Sequence, residues 1–295
     1  MSDLTIELIN GDCTVEMKRI PDASVDAIIT DPPYAEIDRQ YGRLTESEWW
    51  EMMMVVCAES RRILKPTGSA VFIIQPNSKT VGAMRGWVFE FMAWVCREWN
   101  MVQDVYWWNY APFPTVHATQ YGLTRAGLKP CVWAGPPTCY RNQSAVLWAI
   151  SESMFAVDIN DRALRRYPSG GTMRAGRVLE SVLAKGGSTP MNVLPISNGP
   201  STGPASAGAT GHGAGTPLEL AEWWTRYIVP HGGTLCDPFM GSGTMGIAAV
   251  KHGNHFIGIE KMDAPGYFPT AKLRIEQAAN QGRLFDAVDI DIEEN

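Results

Sequence analysis

Three observations predict an α/β fold, a parallel sheet with helices on both faces. Stretches of helical rhythm alternate with short apolar runs over much of the chain. Between Gly233 and Glu260 the order is strand, Gly-x-Gly turn, helix, strand and acid, which is the order of a nucleotide-binding half-fold. A chain of 295 residues that is 45% hydrophobic can bury the core of one large domain, or of a domain carrying an insert.

Taken in order, Thr5 to Ile9 alternates as a strand and runs into the turn Asn10-Gly11-Asp12, with an acid at its tip. Cys13 to Ile20 suits a short helix and Pro21 to Ser24 a turn. Val25, Ala27, Ile28 and Ile29 then form a buried strand that stops at Asp31-Pro32-Pro33-Tyr34. Glu36 to Leu44 is polar enough for a lid. Thr45 to Leu64 is a helix: Thr45 and Glu48 stand at capping-box spacing, and Trp49, Met52, Met53, Val56 and Ile63 recur in helical rhythm as core. Lys65 to Gly68 turns the chain into the apolar strand Ala70 to Ile74. A second helix is expected over Thr80 to Trp99, and further strands over Val102 to Trp108 and Ala145 to Ile150.

Tyr110 to Tyr140 mixes Pro, aromatics, Arg and His without period and reads as a recognition loop. Pro195 to Thr216 is almost wholly Gly, Ser, Ala, Thr and Pro, a flexible linker by composition. Pro217 to Ile228 follows as a helix with proline in its first turn, then Gly233 to Cys236 as a strand and Met245 to Lys251 as a helix.

Two stretches carry chemistry. Prolines 32 and 33 fix φ and lack N–H donors, which leaves rigid carbonyls able to accept hydrogen bonds beside the Asp31 carboxylate. Tyr34 adds a flat aromatic face. Such a group of acceptors suits a planar ring with an exocyclic amino group, although a Pro-Pro turn beside a chance Asp would read the same way. The second stretch is Asp237-Pro238-Phe239-Met240-Gly241-Ser242-Gly243-Thr244, where the glycines let the backbone approach a ligand at a helix N-terminus. A phosphate loop is the competitor, but its Gly-Lys-Ser/Thr ending is missing. Glu260 ends the next strand about twenty residues on, where an acid grips ribose hydroxyls in dinucleotide folds. The set implies an adenosine-containing cofactor.

The formal net charge is −6, unevenly spread. From Val105 to Thr216 nine Lys and Arg oppose four Asp and Glu, so this segment is +5 and the remainder −11. A phosphate-facing region on an acidic protein has this asymmetry, and so does a solvated helix face such as Arg162 to Arg166. The six cysteines show no C-x-x-C spacing, so neither a zinc site nor a disulfide framework is expected, and no metal is assigned. No run of eighteen apolar residues and no leader is seen; a soluble, cytoplasmic protein without a membrane partner is expected.

Asp31-Pro32-Pro33-Tyr34 together with the Asp237 to Thr244 stretch resembles the amino-methylating DNA methyltransferases that use S-adenosylmethionine, in the permuted order where the catalytic motif comes first. Ile9 to Cys13, Ile63 to Gly68, Gly258-Ile259-Glu260 and Ala271-x-x-Arg274-Ile275 extend the match over nearly the whole chain. The resemblance implies a Rossmann-like seven-stranded sheet. It divides the chain into a catalytic half (1–108), a target-recognition region (109–194), a linker (195–216), a cofactor half (217–280) and an acidic tail (281–295). Asp31, Pro32, Pro33 and Tyr34 are then catalytic. Asp12 meets adenine, Glu260 holds the ribose, Phe239, Gly241 and Gly243 line the methionine, and Asp237, Ser242, Thr244 and Thr216 complete the cofactor site. Arg125, Lys129, Arg141, Arg174 and Arg177 would face double-stranded DNA. Adenine N6 is the expected target, with cytosine N4 and an inactive DNA-binding protein of the same fold as alternatives. A homodimer and a cognate restriction endonuclease are further expected partners, in a bacterial or phage setting. Two positions depart from the family pattern: threonine stands at Thr216 where lysine is usual, and Tyr267 lies seven residues after Glu260 instead of about five.

Overall fold

The computed structural model describes residues 4–38, 42–109, 121, 123–124, 127–142, 192–196, 215–261, 266–282 and 288–294. Strand β1 (Leu4–Asn10) leads into the short helix α1 (Cys13–Glu16) and a single 3-10 turn (Met17–Arg19). Strand β2 (Val25–Thr30) is buried along its whole length. Helix α2 (Glu46–Ile63) starts on the predicted capping box, since Thr45 and Glu48 exchange side-chain-to-backbone hydrogen bonds. It gives way directly to β3 (Leu64–Ile73), because Pro66 keeps Lys65 out of the helical region.

The helix expected over Thr80 to Trp99 begins seven residues late. Ser78–Thr80 (β4) and Ala83–Met84 (β5) form a small antiparallel hairpin around Gly82, whose φ of 77° no helix accommodates. Helix α3 (Trp87–Trp94) follows, closing in a wider turn over Val95–Trp99, and β6 (Met101–Trp108) comes next. Part of the expected recognition loop is a strand, β7 (Leu128–Ala134). Its Pro130 lacks an N–H, yet its carbonyl still accepts from Ile74 N–H at 3.0 Å, so the strand tolerates it.

The expected linker is ordered at both ends. Pro195 closes β8 (Val193–Pro195), Ile196 is buried, and Thr216 stands just before α4 (Leu218–Ile228). Then come β9 (Thr234–Asp237), α5 (Thr244–Lys251), β10 (His255–Glu260) and α6 (Tyr267–Gly282). The expected acidic tail contains β11 (Val288–Glu294), where Val288, Ile290 and Ile292 alternate with acids at strand period. The expected strand Ala145 to Ile150 lies outside the described residues, as do Arg125, Arg174 and Arg177.

Among the described residues the main sheet has nine strands, in the order β11-β1-β10-β9-β2-β3-β7-β6-β8. That is two more than the seven-stranded sheet the resemblance implies, with β11 and β8 at the two edges. Every pairing is parallel except the two made by β7, which runs against both neighbours. Alternate residues of the central strands feed two cores. Ile6, Ala27, Ile29 and Val71 pack with Trp224, Ala248 and Ile275 of α4, α5 and α6, whereas Val25, Ile28 and Phe72 pack with Trp49, Met53 and Phe91 of α2 and α3. The two expected halves of the chain interleave in one sheet, with β9 and β10 between β1 and β2. Among the described residues no helix is long and apolar enough to cross a membrane.

Candidate active site

Four adjacent parallel strands, β1, β10, β9 and β2, end at the same sheet edge, and each delivers an acid there: Asp12, Glu260, Asp237 and Asp31. Ligands of open parallel sheets bind outside the carboxyl ends of the strands, so this row marks the crevice. A cleft takes Asp31, Thr216, Asp237, Phe239, Gly241, Ser242 and Thr244 among its walls. Gly241 (φ 54°) and Gly243 (φ 81°) turn the chain between β9 and α5. A Cβ on Gly243 would stand 3.0 Å from Ala271 Cα, so both the backbone angle and the approach of α6 require glycine.

Hydrogen bonds tie the two motifs together. Thr30, the last residue of β2, donates its hydroxyl to Asp237 Oδ1 at 2.6 Å, and Phe239 N–H donates to the same oxygen at 3.1 Å. Gly241 N–H donates to Glu260 Oε2 at 2.7 Å. Arg274 of α6 donates to the carbonyl and hydroxyl oxygens of Ser242, bracing the glycine turn from behind. Asp12 stands at the far end of the row, caps α1 through Thr14 N–H at 2.9 Å and faces the Lys261 ammonium at 3.6 Å. Burial works upward on its pKa, but the Thr14 bonds and Lys261 outweigh it and hold the carboxyl below its ordinary value.

The catalytic candidate is held at both oxygens. Tyr34 donates its hydroxyl to Asp31 Oδ1 at 2.5 Å, and Thr216 donates to Oδ2 at 2.7 Å. The Pro33 carbonyl accepts from the Trp49 indole at 2.8 Å, while among the described residues no donor occupies that of Pro32. Tyr34 is only 5% exposed, so its ring presents little face to a ligand; an ammonium, Lys129 of β7, lies 5.7 Å from the ring centroid and 4.5 Å from that of Trp107. Arg141 is turned onto its own loop, donating to the Pro137 and Cys139 carbonyls and lying over Trp133. Lys129 and Thr216 reach Asp31-Pro32-Pro33-Tyr34 through β7 and through the segment before α4, contacts that no local pattern announced.

Burial pushes the Asp237 carboxyl up to about 7, with the nearby Glu260 and Asp31 charges adding to the effect, and burial likewise pushes Glu260 up to about 7. The folded chain therefore keeps two protons that the unfolded chain releases near pH 4. Their contribution is complete below about pH 4, falls as pH rises toward 7 and is flat above it, by on the order of a few kcal/mol. Asp237→Asn should flatten the fall in melting temperature between about pH 5 and 7 relative to the unsubstituted chain. An unchanged slope by calorimetry would mean that Asp237 is already ionised in the folded state.

Five of the six cysteines, Cys13, Cys57, Cys131, Cys139 and Cys236, are pushed above the ordinary thiol range, chiefly by burial. None of these is poised as a thiolate nucleophile at neutral pH.

Comparison with known proteins shows the family. The DNA methylase family model of the N6 and N4 type matches residues 25–265. The Type II methyltransferase M.PvuII of Proteus hauseri is 26% identical over 267 residues, 85% of this chain and 78% of that protein. The DNA adenine methyltransferase YhdJ of Escherichia coli (strain K12) is 25% identical over 262 residues, 86% of this chain and 77% of that protein. Among solved structures, the cytosine-N4-specific PvuII DNA methyltransferase superposes with a TM-score of 0.68 at 19% identity, covering 98% of both chains. M1.HpyAVI in complex with SAM gives 0.57 at 18% identity, covering 92% of this chain and 98% of that one. With the family match spanning most of its length, this chain belongs to the N6/N4 DNA methylases, S-adenosylmethionine-dependent enzymes that methylate an exocyclic amino group of adenine or cytosine in DNA.

Proposed function

We propose that the chain methylates the N6 amino group of adenine in duplex DNA, with Asp31 and the Pro32 carbonyl as the acceptors of the amino protons. The observation that carries this reading is the position of Asp31 on the wall of the cleft that also holds the glycine turn. The residues present fit the cofactor. Glu260 keeps one oxygen on Gly241 N–H and has a second to accept from ribose hydroxyls. Phe239, Gly241 and Gly243 would hold the methionine portion, with Asp12 toward the adenine. S-adenosylmethionine, when bound there, supplies an electrophilic methyl group.

The amino lone pair of a nucleobase is delocalised into its ring and is a poor nucleophile. Accepting its two protons at Asp31 and at the Pro32 carbonyl turns that lone pair toward the cleft, and holding it there in line is the main rate contribution. Asp31 can take the proton that nitrogen loses on methylation. The target base must leave the duplex stack to reach these groups. Tyr34 contributes through its hydroxyl on Asp31, and the Lys129 ammonium beside it offers a partner for a DNA phosphate.

Asp in the first position of the catalytic motif favours adenine, since many cytosine enzymes of this family carry Ser there. The likeness to the cytosine-N4-specific PvuII structure favours cytosine N4 as the second reading. A nucleoside digest of DNA methylated by the purified chain decides by mass: N6-methyladenine is expected, and N4-methylcytosine alone would overturn the choice of base.

A further inference from the structure

Thr216 stands where the family pattern has lysine, and its hydroxyl donates to Asp31 Oδ2 at 2.7 Å across 185 residues of sequence. Its backbone is constrained on the C-terminal side. Pro217 follows it, which keeps Thr216 out of the helical region, and Pro217 itself (φ −60°, ψ 138°) starts α4, whose Leu220, Ala221 and Trp224 are fully buried. Tyr34 holds the other oxygen of the same carboxylate at 2.5 Å. A carboxylate held at both oxygens cannot rotate about Cβ–Cγ without breaking a bond, and each oxygen still has a lone pair for a substrate proton.

We propose that Thr216 is a positioning residue that sets the plane of the Asp31 carboxylate, coupling the end of β2 to the start of α4. This rests on the function proposed above and replaces the cofactor contact that the resemblance implies for Thr216. Removing the hydroxyl frees one end of the carboxylate, and small misplacement of a reacting group costs up to about a hundredfold in rate. The lysine usual at this position would bring a charge in place of a neutral donor, so threonine keeps Asp31 fixed without neutralising it.

The test compares Thr216→Val, which keeps the shape, with Thr216→Ser, which keeps the donor. In Thr216→Val, kcat should fall by about ten- to a hundredfold while calorimetric affinity for S-adenosylmethionine stays within about threefold. Thr216→Ser should return kcat to within about threefold of the unsubstituted chain, and a crystal structure of Thr216→Val should show the Asp31 carboxylate rotated. Unchanged kcat in the valine variant overturns the proposal. So does a parallel loss of cofactor affinity, which would make Thr216 a cofactor contact, and so does an unrescued serine variant, which would make shape the cause. If the unsubstituted chain transfers no methyl group to DNA, the proposed function fails, and the orientation of Asp31 in the crystal still decides for or against Thr216.

Discussion

Asp31→Ala should lower methyl transfer to DNA by more than about a hundredfold while leaving cofactor affinity within about threefold. Asp31 follows the end of β2 on the wall of the cleft, but the glycine turn is held by Glu260 through a bond that does not involve it. Alanine also strands two donors, the hydroxyls of Tyr34 and Thr216, which Asp31→Asn would keep partly satisfied through its remaining oxygen. Asparagine should therefore melt closer to the unsubstituted chain than alanine does, yet transfer nearly as poorly, because its amide nitrogen cannot accept a proton. Residual activity above about a hundredth in the alanine variant, measured with a labelled methyl group on DNA, would remove Asp31 from the chemistry.

The strands that carry the acids were legible because each is a short apolar run stopped by a turn residue: Asn10-Gly11 after β1, the two prolines after β2, and glycines after β9. Their order in the sheet was not, since placing β9 and β10 between β1 and β2 depends on packing between parts of the chain some two hundred residues apart. Hence the four acids were readable singly and not as a row. The bond from Thr30 to Asp237, which joins the two motifs, follows from that same adjacency.

Three misreadings have local causes. Pro130, between Lys129 and Cys131, broke the pattern that would have marked β7, and pairing with β3 and β6 overrides the missing donor. The apolar rhythm of Trp87 to Trp99 was carried too far toward the N-terminus, past Gly86 and Gly82, two residues that end a helix. In β11 the acids at alternate positions gave the composition of a tail, although Val288, Ile290 and Ile292 keep strand period. The Thr216 contact left no local signal, because only the fold brings the segment before α4 onto β2.

Gly241→Val should weaken S-adenosylmethionine binding by about a hundredfold in calorimetry without unfolding the chain. Gly241 sits at φ 54°, where a side chain costs about 1–2 kcal/mol and a β-branched one more. That strain burdens the free and the bound chain alike, so it lowers stability and not affinity. The loss of affinity comes from the valine itself, because Gly241 lines the cleft and any side chain narrows it. Should the backbone relax instead, Gly241 N–H leaves Glu260 Oε2 and the acid proposed to hold the ribose loses its anchor. Either route weakens the same ligand. Gly258→Val is the contrasting variant: a Cβ there would stand 2.4 Å from Met240 Sδ and 2.6 Å from Phe256, inside the core, so that chain should lose stability first. A Gly241→Val chain that melts normally and binds the cofactor with unchanged affinity would place the ligand elsewhere than at this turn.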